Sequence, residues 1–182
     1  EQTCEFWHNW IADAKVEGPY AAQVKRSLIT LGALVHRPTG AMVAAPTSSL
    51  PETPGGTRNW DYRFCWLRDA AFALLALLKS GYRDEARDWT HWLRRALAGE
   101  PIEIQPFYRI NGGRLATERE APWLSGFGGA QPVRFGNGAS GQVQLDVMGE
   151  AIDALFLASE DGIDGHDELI LAMARLVEDS WQ

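Results

Sequence analysis

Apolar positions recur along this chain at intervals of three and four, the spacing that places them on one face of an α-helix. Phe6, Trp7, Trp10, Ile11 and Ala14 mark a first stripe, and Val24, Leu28, Leu31 and Val35 a second. Gly18-Pro19 separates the two, and Pro38-Thr39-Gly40 stops the second, because such pairs break helical continuity. A third helix is predicted from Ala70 to Ser80, and its run from Ala70 to Leu78 is apolar all round, which predicts burial on every side. Asp69 stands where its carboxylate can cap the first turn by accepting from free N–H groups. Gly81 ends this helix and Asp84 starts the next, where Ala86, Trp89, Leu93 and Leu97 form one stripe opposite charged residues. A buried helix followed by a half-exposed one is what a two-layer helical architecture needs.

Between the helices the pattern changes. The stretch "AMVAAPTSSLPETPGGT" is rich in Pro, Ser, Thr and Gly and reads as a long loop, a class that is usually functional or flexible. From Glu103 to Asn137, alternation in "IEIQPFYRI" and a turn at Asn111-Gly112-Gly113 predict a short hairpin or extended pair, followed by a glycine-rich loop. A long helix is predicted from about Ser140 to Ala158, with Val143, Val147, Ala151, Ala154 and Ala158 on one face and Gln142, Asp146, Gly149 and Asp153 on another. "SEDGIDGHDE" reads as a turn, and Asp167 to Ser180 as a last helix. Polar, aromatic and glycine-rich clusters thus precede two helix N-termini, at Ala70 and Ser140. Such ends present unpaired N–H groups and positive dipole, so the two loops are expected to line one cleft.

Composition narrows the function classes. The 182 residues suffice for one domain, and the 46% hydrophobic and 23% charged content is that of a globular protein. A net charge of -7 has the wrong sign for gathering phosphates, which argues against nucleic acid as a partner. Cys4 and Cys65 lie far apart without metal-ligand spacing, so neither a disulfide framework nor a metal site is expected, and a reducing, cytoplasmic setting fits. The apolar run at Ala70–Leu78 is about half of the ~20 residues that span a bilayer, so no membrane partner is expected. The eight tryptophans divide into core anchors and three, Trp60, Trp66 and Trp123, that sit beside Gly, Arg and Asp, a setting for ligand-facing rings.

The densest chemistry is "NWDYRFCWLRD", residues 59 to 69. Arg68 and Asp69 combine a fork of donors with a strong acceptor, which suits adjacent sugar hydroxyls, while Trp66 and Tyr62 offer faces to the C–H side of a pyranose. The competing reading is a helix cap with a local ion pair, and residue spacing alone favours that one. Asp146 and Glu150, four apart on one helix face, present either paired carboxylates or, as helix surfaces commonly do, solvated charges. Glu118 and Glu120 are ligand contacts or solvated charges, with solvation favoured. His8, His36, His91 and His166 have no ligand-like partner nearby in sequence, and His91 reads as a surface or interface residue. The glycine-rich loop lacks the strand and βαβ setting of a nucleotide fingerprint, and no nucleophile elbow is present. No cofactor is implied.

The segments "RNWDYRFCWLRDAAFALLALLKSGY", "PFYRINGG", "PWLSGFGGAQPVRFGNGASGQVQLDVMGE" and "DALF" resemble, in order and spacing, the bacterial branch of glycoside hydrolase family 15, the glucoamylase-like enzymes that include glucodextranase and trehalase members. The resemblance implies an all-α fold, part of an (α/α)6 barrel of helical hairpins in two rings, with long loops and a short β-hairpin. It implies an inverting, exo-acting enzyme that releases glucose from non-reducing ends of α-glucosides or oligosaccharides. Inversion uses one acid and one water-activating carboxylate about 6.5–9.5 Å apart. Carried over by position, Arg68 and Asp69 grip the terminal glucose, Trp66 walls the pocket, Tyr62 sits near the reacting carbon, and Arg134, Asn137 and Trp123 are further substrate-binding residues. The resemblance places both catalytic carboxylates beyond Gln182, so residues 1–182 are expected to form a partial catalytic domain that holds sugar without cleaving it. Bare inner-helix faces then predict self-association or marginal stability. The alternatives are a trehalase of the same family, or a non-catalytic helical carbohydrate-binding or scaffold module.

Overall fold

The computed structural model describes residues 1–97, 104–114, 117–163 and 167–180. Of the sequence features above, Ile102, Glu103, His166, Trp181 and Gln182, together with part of the turn before the last helix, lie outside the described residues. The helices are α1 (Gln2–Ala12), α2 (Ala21–Ala33), α3 (Leu67–Lys79), α4 (Arg83–Ala96), α5 (Leu145–Glu160) and α6 (Asp167–Ser180). The strands are two residues each: β1 (Val35–His36), β2 (Ala41–Met42), β3 (Cys65–Trp66), β4 (Phe107–Tyr108), β5 (Arg119–Glu120) and β6 (Arg134–Phe135). They pair antiparallel as β1 with β2, β3 with β4 and β5 with β6. The fold is all-α, and the helices pair as the periodicity predicts, α1 with α2, α3 with α4 and α5 with α6.

The core is the junction of α3 with α4 and α5. Leu67, Ala70, Ala71, Ala73, Leu74 and Leu77 of α3 are buried, and they face Ala86, Trp89, Trp92 and Leu93 of α4 and Val147, Ala151, Ala154, Leu155 and Ala158 of α5. Alanines on both sides of the α3–α5 contact let the backbones approach, and the tryptophans of α4 fill the third side. Each buried leucine contributes about 1.5–3 kcal/mol relative to exposure, so the junction fixes α3, and α3 fixes whatever its N-terminus carries. Burial of α3 is not complete: Phe72 is 55% exposed, because no described element covers the face it projects from.

Two helix starts differ from the expectation, each for a local reason. α3 begins at Leu67, the cap position is the extended residue Trp66, and no side chain caps it. The Leu67 N–H donates instead to the Pro106 carbonyl at 3.0 Å, extending the β3–β4 pairing of Cys65 with Tyr108 and Trp66 with Phe107. Asp69 therefore is not the cap. It lies in the first turn, where a negative charge is favoured by the helix dipole. α5 begins at Leu145 rather than near Ser140. The Asn137 side chain accepts from the Ala139 N–H and caps a separate 3₁₀ turn over Gly138–Gly141, which leaves Val143 83% exposed in the connection.

The stretch read as a loop is an irregular antiparallel arm. Residues 44–52 run back along 58–64 through Ala44 N–H to Phe64 O (2.9 Å), Ala45 to Tyr62 (3.0 Å), Ser49 to Trp60 (2.9 Å) and Glu52 to Arg58 (3.0 Å). The alternating stretch near residue 107 pairs with β3 rather than folding on itself, while the turn beyond it is closed by Arg109 N–H to Gly113 O at 3.0 Å. The extended pair of that region is β5–β6, and a further tight hairpin joins β1 to β2 across residues 37–40.

Candidate functional site

A cavity of about 750 Å³ opens between the arm, the first turn of α3 and the 3₁₀ turn before α5, within the size range of small-molecule sites. Its lining includes Trp66, Arg68 and Asp69 at the start of α3, Glu52, Arg58, Trp60 and Tyr62 of the arm, and Glu118, Asn137, Gln142 and Gln144. The two loops singled out in the sequence do face one cleft.

One wall is an aromatic series, buried at Phe107 and Trp66, most exposed at Tyr62 and partly buried at Trp60. Phe107 is fully buried and stacks on Trp66 at 4.6 Å between centroids; Trp66 lies 5.9 Å from Tyr62, and Tyr62 6.4 Å from Trp60. Trp66 is held by the β3–β4 pairing, and Tyr62 and Trp60 by the arm's backbone bonds. Burial pushes the Tyr62 phenol above its ordinary value, with the Glu52 and Asp69 carboxylates adding to the effect, so it stays a neutral hydroxyl across the physiological range.

The charged groups are held in pairs, two of them between separate segments and one within the arm. Arg68 Nη1 donates to Asp146 Oδ2 at 2.5 Å and reaches Gln144 Oε1 at 3.5 Å. That hydrogen bond, more than the bare charge, holds the Asp146 carboxyl below the usual carboxylate range. Arg134 Nη1 donates to Glu118 Oε1 at 2.7 Å, and the Gly138 N–H to Glu118 Oε2 at 3.2 Å. Arg58 donates twice to Glu52, at 2.7 and 3.4 Å, and its guanidinium lies over Trp60, 5.7 Å from the ring centroid. Among the described residues, Asp69 alone of the charged groups lining the cavity has no hydrogen-bonded ion-pair partner.

Behind the cavity, Asp61 ties the arm to the glycine-rich segment. Its side chain is fully buried and both oxygens are doubly used: Oδ1 accepts from the Arg63 backbone N–H (3.2 Å) and Nε (2.8 Å), Oδ2 from Arg63 Nη2 (2.8 Å) and the Gly136 N–H (3.2 Å). Ser48 Oγ donates to the Arg134 carbonyl at 2.6 Å, and the Arg134 N–H donates to Ser49 Oγ at 2.8 Å. Asn137 Nδ2 donates to the Asp61 carbonyl at 3.3 Å. These bonds hold the β5–β6 pair, and with it Glu118, against the arm.

Of the residues carried over by position, Tyr62, Trp66, Arg68, Asp69 and Asn137 line the cavity. Both ends of the Asn137 amide are taken by backbone groups, so it shapes the wall. Arg134 stands behind Glu118, also 3.6 Å from Glu120, and Trp123 is 75% exposed outside the lining. Glu150 and Asp146 are not a free carboxylate pair, since Asp146 is engaged by Arg68. Glu52, Arg58 and Asp61 were not singled out in the sequence; the signal for Asp61 was an aspartate two residues before an arginine amid aromatics. No described group of three His, Cys, Asp or Glu side chains is placed to hold a metal ion, and no described helix is long and apolar enough to cross a membrane.

The arrangement offers donors, acceptors and aromatic faces to a neutral, hydroxyl-rich ligand. Comparison with known proteins points the same way. The model for Glycosyl hydrolases family 15 matches residues 18–182. The chain is 40% identical to a trehalase of Mycolicibacterium smegmatis over 98% of its own length and 27% of that protein. It is 38% identical to a trehalase of Thermoplasma acidophilum, over 89% of this chain and 28% of that protein, and 42% identical to Trehalase 1 of Sulfolobus acidocaldarius over 72% and 24%. The chain thus spans about a quarter of the length of these curated relatives. No solved structure matches it.

Proposed function

We propose that this chain, which belongs to glycosyl hydrolases family 15, supplies the sugar-holding part of a glycoside hydrolase that acts on the α,α-linked diglucoside trehalose. Trehalase is favoured over the glucoamylase-like reading because the relatives it matches are trehalases. The observation that carries the reading is the cavity at the start of α3, where Arg68, Asp69, Trp66 and Tyr62 come together.

In this reading each group has a physical task. Asp69, charged and without an ion-pair partner, accepts from sugar hydroxyls, and the remaining N–H groups of Arg68 donate to their oxygens. Asp146 keeps the Arg68 guanidinium in one orientation, so little side-chain freedom is lost when sugar binds. Trp66 and Tyr62 face the apolar C–H side of the ring. Arg134 acts through Glu118 and Asn137 through the wall it shapes, and Trp123 takes part only if sugar extends beyond the cavity.

Cleavage needs a protonated acid and a water-activating carboxylate. Glu52, Glu118 and Asp146 are each committed to an arginine, and an acid held below the usual range, as Asp146 is, is a poor proton donor near neutrality. The acid and base are assigned to sequence C-terminal to Gln182. The test is glucose release from trehalose, maltose and starch by the protein at natural length and by the 182-residue chain alone. Trehalose is expected to be the preferred substrate at natural length, with no turnover by the chain alone. Turnover by the chain alone that disappears in Asp146→Asn would return the catalytic carboxylates to this segment; preference for starch would restore the glucoamylase-like reading.

A further inference from the structure

Helix α1 has no buried residue and is anchored through Trp10, which stacks on Tyr82 with 4.1 Å between centroids and donates from Nε1 to Glu85 at 2.7 Å. Along its flank a groove of about 220 Å³ runs between α1 and α2, with Cys4, Trp7 and Ile11 on one wall and Arg26 and Ile29 on the other. It shares no lining residue with the cavity at the start of α3. We propose that this groove is a contact surface for a second copy of the chain, in a two-fold dimer that sets α1 of each subunit against α2 of the other.

Charge selects the partner. The carboxylates of α1 and its cap are Glu1 and Glu5, with no Lys or Arg beside them, whereas α2 carries Lys25 and Arg26 and no acid. Glu1, Glu5 and Arg26 are exposed, and none of the four has an ion-pair partner among the described residues. The groove is therefore flanked by an unpaired acidic ridge and an unpaired basic one, with apolar side chains between them. A partner of one charge would satisfy one ridge and be repelled by the other. A second copy supplies both signs.

The same charges orient the two-fold axis. Laid along the groove, the axis places each α1 over the other subunit's α2; laid across it, α1 would face α1 and acid would meet acid. Arg26 lines the groove together with Cys4 and Trp7, which puts it level with Glu5, and rotation about the groove direction preserves that level. Glu5 of each subunit thus meets Arg26 of the partner subunit, twice per dimer, over a contact filled by Trp7, Ile11 and Ile29. The contact is small. The 11 residues of α1 span about 16 Å, and two helices packed about 10 Å apart present a face roughly 20 Å wide, so roughly 300–400 Å² per subunit is covered in projection, against about 800 Å² in a standard interface. Such a dimer is reversible and depends on its charges.

The test is sedimentation velocity of the protein at natural length, over a dilution series in low and high salt. A monomer–dimer equilibrium that moves toward monomer as salt is added is expected. Glu5→Lys and Arg26→Glu each turn both cross-subunit pairs into like-charge contacts, and each is expected to raise the dissociation constant at least about tenfold. Mixing the two variants restores opposite charges at both contacts, so a mixed dimer with roughly the unaltered dissociation constant is expected; its recovery also shows that both variants fold. A protein that stays monomeric throughout, with this face covered by other sequence of its own, overturns the proposal. So does a dimer indifferent to both substitutions, or a loss in the single variants that mixing does not repair.

Discussion

Asp61→Asn tests whether the buried carboxylate behind the cavity holds the site together. The replacement keeps volume and shape, so no cavity opens, but it changes the donor–acceptor count. Each Asp61 oxygen accepts from two donors; an amide sets an NH₂ group against one of those pairs whichever way it is turned. In one orientation the Arg63 Nη2 bond and the Gly136 N–H are lost, in the other both Arg63 Nε and backbone bonds. A charge-assisted bond contributes about 1.5–3 kcal/mol and an unsatisfied N–H costs about 1–3 kcal/mol. The Arg63 side chain is 40% exposed and regains water, which lowers the first figure. The net loss is roughly 2–4 kcal/mol, or about 5–15 °C in melting temperature for a domain of this size. Thermal melting by circular dichroism reads it directly, and trehalose binding should weaken in the same variant below its melting point, because the β5–β6 pair is no longer pinned to the arm. As a control, Glu52→Gln breaks a solvent-exposed ion pair and should leave the melting temperature nearly unchanged. A melting temperature for Asp61→Asn within about 2 °C of the unaltered protein, with binding intact, would refute the reasoning.

Three further outcomes follow from the structure. Asp146→Asn should weaken sugar binding while moving stability by less than about 1 kcal/mol, since both partners are half-exposed. Because the folded carboxyl sits below its ordinary value of 3.8, the pair's contribution is present above that pH and fades as pH falls through the lower folded value; binding measured by titration should be flat from about pH 5 to 8 and fail only in stronger acid. Burial pushes the Cys65 thiol up to about 12, so in the folded protein a thiol reagent should modify exposed Cys4 and spare Cys65, with both reacting after denaturation. The same raised value means its contribution to stability is present below the ordinary thiol range and lost as pH rises above it, visible as falling melting temperature in alkali. Gly126→Ala should destabilise by roughly 1–3 kcal/mol, because Gly126 has φ +72° and an added Cβ would lie 1.9 Å from the Ala130 carbonyl oxygen; a variant that melts with the unaltered protein would contradict that.

The helices were legible because their information is local: a stripe at intervals of three and four is decided within one turn. Their starts were less so. Asp69 carries the residue type of a cap, yet the Leu67 N–H is taken by Pro106, a residue whose proximity depends on the β3–β4 pairing. The arm was hidden for the same reason in stronger form. Its bonds join backbone groups, which leave no side-chain signature, and its Pro, Ser and Gly content describes the turns without revealing the ladder. In the site, Tyr62, Trp66, Arg68 and Asp69 were legible because they fall in one run. Glu118 read as solvated because the sequence does not show Arg134 and Gly138 arriving beside it.

That distribution of partners bears on what the cavity binds. The chain carries a net charge of -7, yet at the site Arg58, Arg68 and Arg134 are matched with Glu52, Asp146 and Glu118, from segments up to 78 residues away in sequence. Pairing of this kind costs desolvation and yields little stability where the groups are half-exposed. Its effect is on the ligand: three arginines that would draw anions are neutralised, while remaining N–H groups of Arg58 and Arg68, which line the cavity, stay available. Asp69 is left as the charge at the start of α3 that a neutral hydroxyl-rich molecule can satisfy by donating. A site evolved for phosphate or carboxylate would leave its arginines free. This one leaves an acceptor free, and that asymmetry is the physical argument for the proposed uncharged sugar ligand.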